Sequence, residues 1–163
     1  MRGRRICLLL AVLLALGLSL TGCAEQEQGT VYAVYYLNQA EGEENALAAE
    51  KHTLPQDVEP VEGLLNLLLT EPQSEDLANA IPDGVRVRKW SIHNGLLTVD
   101  FSSAYASLSG IDLTLADYSV VLTLTQLEEV DTVMITADGE MLAYRDHQRL
   151  TAADAWSALS PNG

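Results

Sequence analysis

The pattern of apolar residues changes its period within one stretch of the chain, from Ile111 to Gly139. In the first half, apolar side chains recur at steps of three and four residues, which is the period of an α-helix. Leu113 and Val121 fill much of the remaining circumference, so we expect this helix to be covered on most sides. The periodic positions are Ile111, Leu115, Tyr118 and Leu122, and on a neighbouring row Val120, Leu124 and Leu127.

The second half of the stretch has the pattern of a β-strand. Residues 130–137 are rich in β-branched side chains, and Asp138-Gly139 supplies a turn that ends the run. One face would carry Val133, Ile135 and Ala137, and the other Thr132, Met134 and Thr136. We therefore expect a buried helix followed by a sheet strand, with the rest of the chain packed against this pair.

A β-hairpin is predicted between residues 85 and 101. Two strand-like runs, 85–93 and 96–101, flank Asn94-Gly95, which is the strongest short hairpin signal in a sequence. A two-residue turn there pairs Trp90 with Val99 and Ile92 with Leu97, so that four apolar side chains share one face. In the same register His93 faces Leu96, and the opposite face carries Lys89, Ser91, Thr98 and Asp100.

Further elements are predicted in the N-terminal half. Residues 30–38 alternate as a strand with both faces partly covered, and the acidic segment 39–45 is expected to be an exposed connection. Residues 46–54 form a weaker strand candidate, with a helix as the alternative. Val61–Leu69 is predicted as a leucine-rich helix, and Pro60 suits its first turn because the missing N–H has no helical partner there.

The remaining segments complete an α+β pattern. Residues 73–80 are expected to make a short helical turn before the turn signal at residues 81–84, and residues 102–110 a loop or short helix. Residues 141–144 return as a strand, and Thr151-Ala-Ala-Asp154 resembles a capping box that opens a last helix through Leu159. The sequence thus predicts an α+β fold in which two or three helices pack on a mixed, partly antiparallel sheet.

The N-terminus has the form of an export signal. Residues 1–22 begin with three arginines and continue through an apolar run that is short for a transmembrane helix. The quartet Leu20-Thr21-Gly22-Cys23 resembles the lipobox of bacterial lipoproteins, which implies that Cys23 carries a diacylglyceryl group and becomes the mature N-terminus. A plain secretory signal and an uncleaved anchor helix are the alternatives. Two acyl chains suffice for lasting membrane attachment, so we expect a lipid-anchored protein on the extracytoplasmic face of the cell membrane.

Length, charge and cysteine count define the domain that remains after the signal. Residues 23–30 form a polar tether, and residues 31–160 are long enough for one domain with a real core. Without the signal, six basic residues stand against 23 acidic ones, a formal charge of −17, which disfavours nucleic acid as a partner. Cys7 would leave with the signal and Cys23 carries the lipid, so the sequence predicts no disulfide and no cysteine chemistry in the domain.

Candidate chemistry is sparse. His52, His93 and His147 are scattered over different predicted elements without metal-ligand spacing. The paired carboxylates at residues 43/44, 75/76 and 128/129 are expected to lie at solvated loops or helix ends. We therefore predict no catalytic, cofactor-binding or metal-binding residues. Two sets of residues keep alternative interpretations. A polar set near the end of the predicted helix is either a binding row or, as we expect, a group of capping and packing residues: Thr123, Thr125 and Gln126. An aromatic set is either core or contact surface: Tyr32, Tyr35, Tyr36, Trp90 and Trp156.

Five short segments resemble one known domain in their order and spacing. These segments are Ile81-Pro82-Asp83-Gly84, Leu97–Ser102, Leu122–Leu127, Val130-Asp131 with Val133, and Asp138-Gly139. Together they are similar to the GerMN domain of sporulation and spore-germination proteins, over about residues 31–144, in a single copy. The resemblance implies an extracytoplasmic, non-enzymatic lipoprotein whose fold is similar to that of ring-building modules in spore-membrane assemblies.

Two hypotheses of different classes follow. The first is an assembly or scaffold lipoprotein that binds other proteins, with self-association as one form of that binding. The second is a small-ligand-binding or weakly enzymatic envelope lipoprotein with a cleft between helix and sheet. An exposed sheet edge or apolar patch favours the first, and a deep pocket with converging polar groups favours the second.

Overall fold

The computed structural model describes residues 29–42, 44–143, 145 and 147–159. The predicted signal segment, the tether up to residue 28 and the lipid-attachment residue Cys23 lie outside these described residues. So does Tyr144, the last residue of one predicted strand. Within the described residues, no helix is both long enough and apolar enough to span a bilayer.

The first sheet is antiparallel and contains three strands in the order β2-β1-β3. Strand β1 (Gly29–Asn38) pairs along its whole length with β2 (Leu47–Pro55), so that Tyr32 faces His52. The strand interpretation of residues 46–54 is therefore confirmed over the helical alternative. Val34 and Tyr36 of β1 are buried, as are His52 and Leu54 of β2.

Strand β3 (Leu77–Ala78) corrects one expectation. It lies where the sequence predicted a short helical turn, and instead pairs with the end of β1 through Leu37 and Asn38. The Gln39 N–H also donates to the carbonyl of Asp76. The helical turn was wrong because pairing with a strand forty residues away satisfies these backbone groups, and that partner leaves no mark in the local sequence.

The second sheet is mixed. It contains β4 (Val87–His93), β5 (Leu96–Phe101), β6 (Thr132–Ala137) and β7 (Glu140–Met141) in that order, and β8 (Arg149–Leu150) also pairs with β6. The β4–β5 hairpin has the predicted register, from His93 opposite Leu96 to Lys89 opposite Asp100. Asn94 (φ 50°) and Gly95 (φ 77°) form the turn, as its left-handed geometry requires. One feature was not predicted: a bulge at Arg88 shifts the register between Val87 and Lys89.

Three helices pack against the sheets. Helix α1 (Pro60–Leu68) begins with the Glu59 carboxylate accepting the Glu62 N–H, and α3 (Ala152–Leu159) begins with the predicted capping box, in which the Thr151 N–H donates to Asp154 at 2.8 Å. Helix α2 (Gly110–Leu124) follows a 3₁₀ turn at Ser103–Ser107 and connects the parallel strands β5 and β6.

Helix α2 is the central element of the fold. It is buried on most of its surface from Leu113 to Leu124, as its apolar periodicity predicted, although Ile111 at its first turn is 67% exposed. One continuous core joins both sheets and all three helices. The α+β class is confirmed; the division of the strands into two sheets with α2 between them was not anticipated.

Candidate functional site

The polar row at the end of α2 binds the free edge of strand β1. The Gln126 amide donates to the carbonyl of Ala33 at 2.7 Å and accepts the Ala33 N–H at 2.9 Å. The Thr123 hydroxyl accepts the Tyr35 N–H at 3.0 Å, and the Ser119 hydroxyl donates to the Tyr35 carbonyl at 2.5 Å. These side chains satisfy backbone groups that a neighbouring strand would otherwise satisfy. Strand β1 thus has β2 on one edge and, on the other, β3 followed by α2.

This arrangement decides between the two interpretations of the row. Thr123 and Gln126 are structural groups whose polar atoms are already used, and the Thr125 hydroxyl donates to the carbonyl of Val121 within its own helix. The packing interpretation is therefore the correct one for these three residues. Ser119, which completes the contact, was not singled out from the sequence; its signal was a polar residue inside a helix predicted to be covered on most sides.

Asp100 is a buried carboxylate that sequence reasoning placed on the polar face of the hairpin. Its side chain is 1% exposed, and it accepts hydrogen bonds from the Thr136 hydroxyl (2.8 Å), the Gly139 N–H (2.7 Å) and the Arg88 guanidinium (2.9 Å). Arg88 also lies 3.2 Å from Asp138. Burial raises the pKa of Asp100, but the hydrogen bonds from Gly139 and Thr136 and the charge of Arg88 outweigh burial and hold the pKa below its ordinary value.

A second buried cluster lies between α2 and the segment after β7. Asp117 accepts two bonds from the Arg145 guanidinium, at 2.6 Å and 2.5 Å, and one from the Tyr105 hydroxyl at 2.8 Å. Arg145 also donates to the carbonyl of Ile135 at 2.7 Å. The Tyr105 ring stacks on Phe101 with centroids 4.8 Å apart. Burial, reinforced by the Asp117 charge, raises the pKa of Tyr105 well above its ordinary value, so the hydroxyl stays protonated as a donor.

A cleft of about 270 Å³ opens beside this cluster. Its volume is just below the range of typical small-molecule sites, roughly 300–1,000 Å³. The Asp117–Arg145 pair at its base is about 95% buried, with side-chain exposures of 6% and 5%, and its polar atoms already bind one another and the backbone. The cleft therefore offers a ligand few free polar groups from this pair. The lining residues are Gly110, Leu113, Thr114, Asp117, Tyr118, Arg145, His147 and Leu150.

The third cluster surrounds His52 on the inner face of β2. His52 Nε2 lies 2.7 Å from the Glu50 carboxylate, which also accepts the N–H groups of Gln73 and Ser74 and so anchors the segment before β3. Burial raises the pKa of Glu50, but these two N–H groups and His52 lower it below its ordinary value. The Tyr36 hydroxyl donates to the carbonyl of Leu67, and burial together with the Glu50 charge raises the pKa of Tyr36 to about 12.

The three histidines lie apart. His52 is in the first sheet, His93 at the exposed tip of the hairpin, and His147 in a loop 3.9 Å from Asp154. Among the described residues, no group of three or more histidine, cysteine or acidic side chains has the geometry to hold a metal ion. The acidic pairs at residues 75/76 and 128/129 are exposed, as expected; Glu43 of the third pair lies outside the described residues.

The aromatic residues divide between core and surface. Tyr36 belongs to the core, at 1% exposure, whereas Tyr32, Tyr35 and Trp90 are half-buried. The Trp156 side chain is 51% exposed, and its ring meets Tyr35 edge-on with centroids 5.8 Å apart. The core interpretation is therefore confirmed for Tyr36, and the contact-surface interpretation stays a prediction for the more exposed residues.

Strand β4 is an open edge of the second sheet. It pairs with β5 on one side, and on the other it borders a groove of about 380 Å³ whose far wall is α1. The groove is lined by Val87, Arg88, Lys89 and Trp90 from the strand and by Glu62, Leu65 and Asn66 from the helix. This edge of the second sheet thus carries two basic residues, Arg88 and Lys89.

Comparison with known families decides what kind of domain this is. The family model named Germane, described as sporulation and spore germination, matches residues 33–143. The chain belongs to the Germane family. The matched range contains α1, α2 and both sheets except β8 and the first four residues of β1, so it covers the part of the domain in which the polar row, Asp100 and Asp117 lie.

Solved structures agree with the Germane assignment at the level of the fold. The first GerMN domain of the sporulation protein GerM from Bacillus subtilis is similar with a TM-score of 0.65 and 18% identity, covering 77% of this chain and 99% of that domain. The tandem GerMN domains of the same protein give a TM-score of 0.60 and 22% identity, and the match covers 74% of this chain and 43% of that one. This coverage is what a single GerMN domain gives when it is matched to a tandem pair.

A third similar structure comes from Clostridium perfringens, a protein described as a candidate lipoprotein. It has a TM-score of 0.54 and 17% identity, and the match covers 83% of this chain and 95% of that one. A comparison with curated protein sequences gave no significant match. The GerMN resemblance noted in the sequence motifs is thus confirmed by the family model and by the fold.

Proposed function

We propose that this Germane-family chain is a lipid-anchored, extracytoplasmic assembly module that acts in sporulation or spore germination by binding other proteins rather than by catalysis. The observation that carries the proposal is the order of two features along one chain: a lipobox-like quartet ending at Cys23, and a Germane domain beginning a few residues later. The first supplies an anchor and the second a module of sporulation proteins.

The anchor has support from two directions. Diacylation of Cys23 gives stable membrane residence without a polybasic segment, which the mature chain lacks. The similar Clostridium perfringens protein is itself described as a candidate lipoprotein. The apolar run before Cys23 serves as the export signal, and cleavage before Cys23 leaves the domain tethered by a short polar segment on the outer face of the cell membrane.

The non-enzymatic role is supported by the use of the buried polar groups. Asp100, Asp117 and Glu50 each accept at least two hydrogen bonds from backbone or cationic groups, so most of the acceptor capacity of each carboxylate is used in structural contacts. A general base needs a free lone pair within reach of a substrate proton. These carboxylates instead hold together α2, the second sheet and the segment before β3.

Lipid attachment and function are tested together by Cys23→Ala in the producing organism. We expect the protein to leave the membrane fraction, to lose metabolic labelling by a fatty-acid analogue, and to give a sporulation or germination defect like that of a deletion strain. Ala24→Ser is the matched control and keeps all three properties. Unchanged membrane retention and labelling in the Cys23→Ala strain would contradict the anchor, and a deletion strain with normal spores that germinate normally would contradict the role.

A further inference from the structure

The basic residues of the chain are concentrated on one strand edge. Outside the predicted signal segment the chain has six lysines and arginines, and three of them, Arg86, Arg88 and Lys89, fall within four consecutive residues. All three are exposed and lie at or just before the edge strand β4. A cluster of this kind on a chain with a formal charge of −17 is a local reversal of sign.

Two of these three cations form no close ion pair within the described part of the chain. Arg88 at the bulge is held by Asp100 and Asp138. Among the described residues, Arg86 and Lys89 form no ion pair with a carboxylate within 4 Å, although Lys89 is close enough to Asp100 to help lower its pKa. Lys89 and the half-buried Trp90 both line the groove beside β4, and Arg86 lies just before the strand; arginine and tryptophan are enriched at protein interfaces.

The backbone of the same strand also offers hydrogen bonds. In an antiparallel hairpin closed by a two-residue turn, His93 and Ser91 bond to β5, and the alternate residues direct their N–H and C=O groups away from it. Trp90 and Ile92 therefore present donors and acceptors to the open side of β4. An edge of this kind binds extended segments by strand addition, and the groove between β4 and α1 leaves room beside it.

We propose that the β4 edge, with Arg86, Lys89 and Trp90, binds an extended acidic segment of a separate partner protein as an added strand. The backbone groups of β4 supply affinity without sequence preference, and the two free cations select carboxylates on the incoming segment. At physiological ionic strength, charges beyond about 8 Å are largely screened, so an incoming carboxylate responds mainly to the charges at this edge, which are Arg86 and Lys89 together with Glu62 of the groove.

A second copy of this chain is a poorer occupant. It would offer either its own β4 edge, which carries the same cations, or the β2 edge, whose exposed positions carry Ala49, Lys51 and Thr53 rather than carboxylates. Two copies with a formal charge of −17 each also repel one another. The inference rests on the proposed function, since an assembly module requires at least one docking surface, and it specifies where that surface lies and what chemistry it prefers.

The test is site-specific photo-crosslinking of the full-length, membrane-attached chain in sporulating cells. A photoreactive amino acid replaces Ser91, which is exposed on β4, and in a control it replaces Thr53, which is exposed on β2. We expect adducts from position 91 that map by peptide mass spectrometry to an acidic extended segment of another protein. The charge reversal Arg86→Glu/Lys89→Glu should lower their yield at least about tenfold, and Lys51→Glu should not.

Each result bears on the proposal. The single change Lys89→Gln, which is milder for folding, should give an intermediate loss, and raising the salt in isolated membranes from about 0.05 M to about 0.5 M should weaken the adduct. Adducts to a second copy or to a neutral or basic segment, or a yield that survives charge reversal, would overturn the assignment. Adducts from position 53 without adducts from position 91 would contradict the β4 site and leave the proposed function standing. If neither position gave adducts and no protein co-purified from the membrane, both the β4 site and the proposed function would be contradicted.

Discussion

Gln126 binds both backbone groups of Ala33, with its Nε2 2.7 Å from the carbonyl oxygen and its Oε1 2.9 Å from the amide nitrogen. A side-chain amide has the donor and the acceptor of a peptide group, so Gln126 takes the place that a residue of a neighbouring strand would occupy. With Thr123 and Ser119 it converts α2 into the second neighbour of β1. The helix that connects β5 to β6 in one sheet thereby holds the edge of the other.

Replacing these groups should therefore destabilise the domain. Thr123→Val keeps the side-chain shape but leaves the Tyr35 N–H without its acceptor at a fully buried position, which should cost about 1–3 kcal/mol of unfolding free energy. Gln126→Ala, at a more exposed position, should cost about 1 kcal/mol. Urea unfolding of the full-length protein in detergent measures both. Gln56→Ala, at an exposed turn position, is the control and should stay within about 0.5 kcal/mol of wild type.

The carboxylate Asp100 should make the domain sensitive to acid. Its pKa is lower in the folded protein than its ordinary value of about 3.9, so its contribution to stability is fully present above about pH 4 and is lost as the pH falls through the folded pKa. Glu50 and Asp154 have lowered pKa values too, and they act in the same direction. The free energy of unfolding should thus be level near neutral pH and fall steeply below about pH 4.

The variant Asp100→Asn isolates this contribution. It removes the negative charge of a side chain that is 1% exposed and weakens the hydrogen bonds to that side chain, which should destabilise the protein by about 2 kcal/mol at pH 7. The gap between variant and wild type should narrow as the pH falls, because wild-type Asp100 is then protonated as well. Urea titrations from pH 7 to pH 3 measure the gap, with the exposed Asp83→Asn as control; a gap that is the same at both ends of the range would count against a charged Asp100.

The Asp117–Arg145 pair should show strong coupling. Arg145→Met leaves the Asp117 carboxylate buried without a cation, which should cost about 3–5 kcal/mol of unfolding free energy. Asp117→Leu leaves the Arg145 guanidinium buried without an anion, at a similar cost. The double variant should lose at least about 2 kcal/mol less than the sum of the two single losses, because neither charge then remains buried alone. Asp117→Leu combined with Arg149→Met, at an exposed arginine, should be additive instead. Additivity at Arg145 as well would refute a stabilising ion pair.

Tyr105 tests the third member of that cluster. Tyr105→Phe removes one hydroxyl that donates to the Asp117 carboxylate at 2.8 Å, and leaves the ring stacked on Phe101. A hydrogen bond to a charged group contributes about 2 kcal/mol, and that is the loss we expect in thermal or urea unfolding. Tyr32→Phe, at a half-buried tyrosine of β1, is the matched control and should be close to neutral.

Local patterns in the sequence predicted most of this fold. The period of α2, the alternation of β6 and the Asn94-Gly95 turn each depend on residues that are near one another in the chain, and each was confirmed with its register or boundaries within a few residues. The capping box of α3 is local in the same sense. These elements agree with the sequence because propensity, pattern and turn chemistry all favour the same structure there.

The features that escaped prediction depend on distant partners. Strand β3 exists because β1 lies beside it, and the burial of Asp100 depends on Thr136 and Gly139, which arrive more than thirty residues later. Arg145 reaches Asp117 from a position just after the predicted return strand, where no element was predicted. A signal for Asp117 was present, since an acidic residue in the middle of a helix covered on most sides requires a buried partner.

If the protein acts by binding other proteins, it belongs to a larger complex in its own membrane, and the size of that complex can be measured. Membranes from sporulating and germinating cells would be solubilised in a mild detergent without crosslinking, and the chain followed by immunodetection across a size-exclusion or native-gel separation. We expect a discrete particle, larger than the lipid-anchored monomer with its detergent, that contains a reproducible second protein. The proposed role in assembly would be contradicted if the chain migrated as a free monomer in membranes from both stages. The same conclusion would follow if every protein that co-migrates with it were equally abundant at that size in a strain lacking the chain.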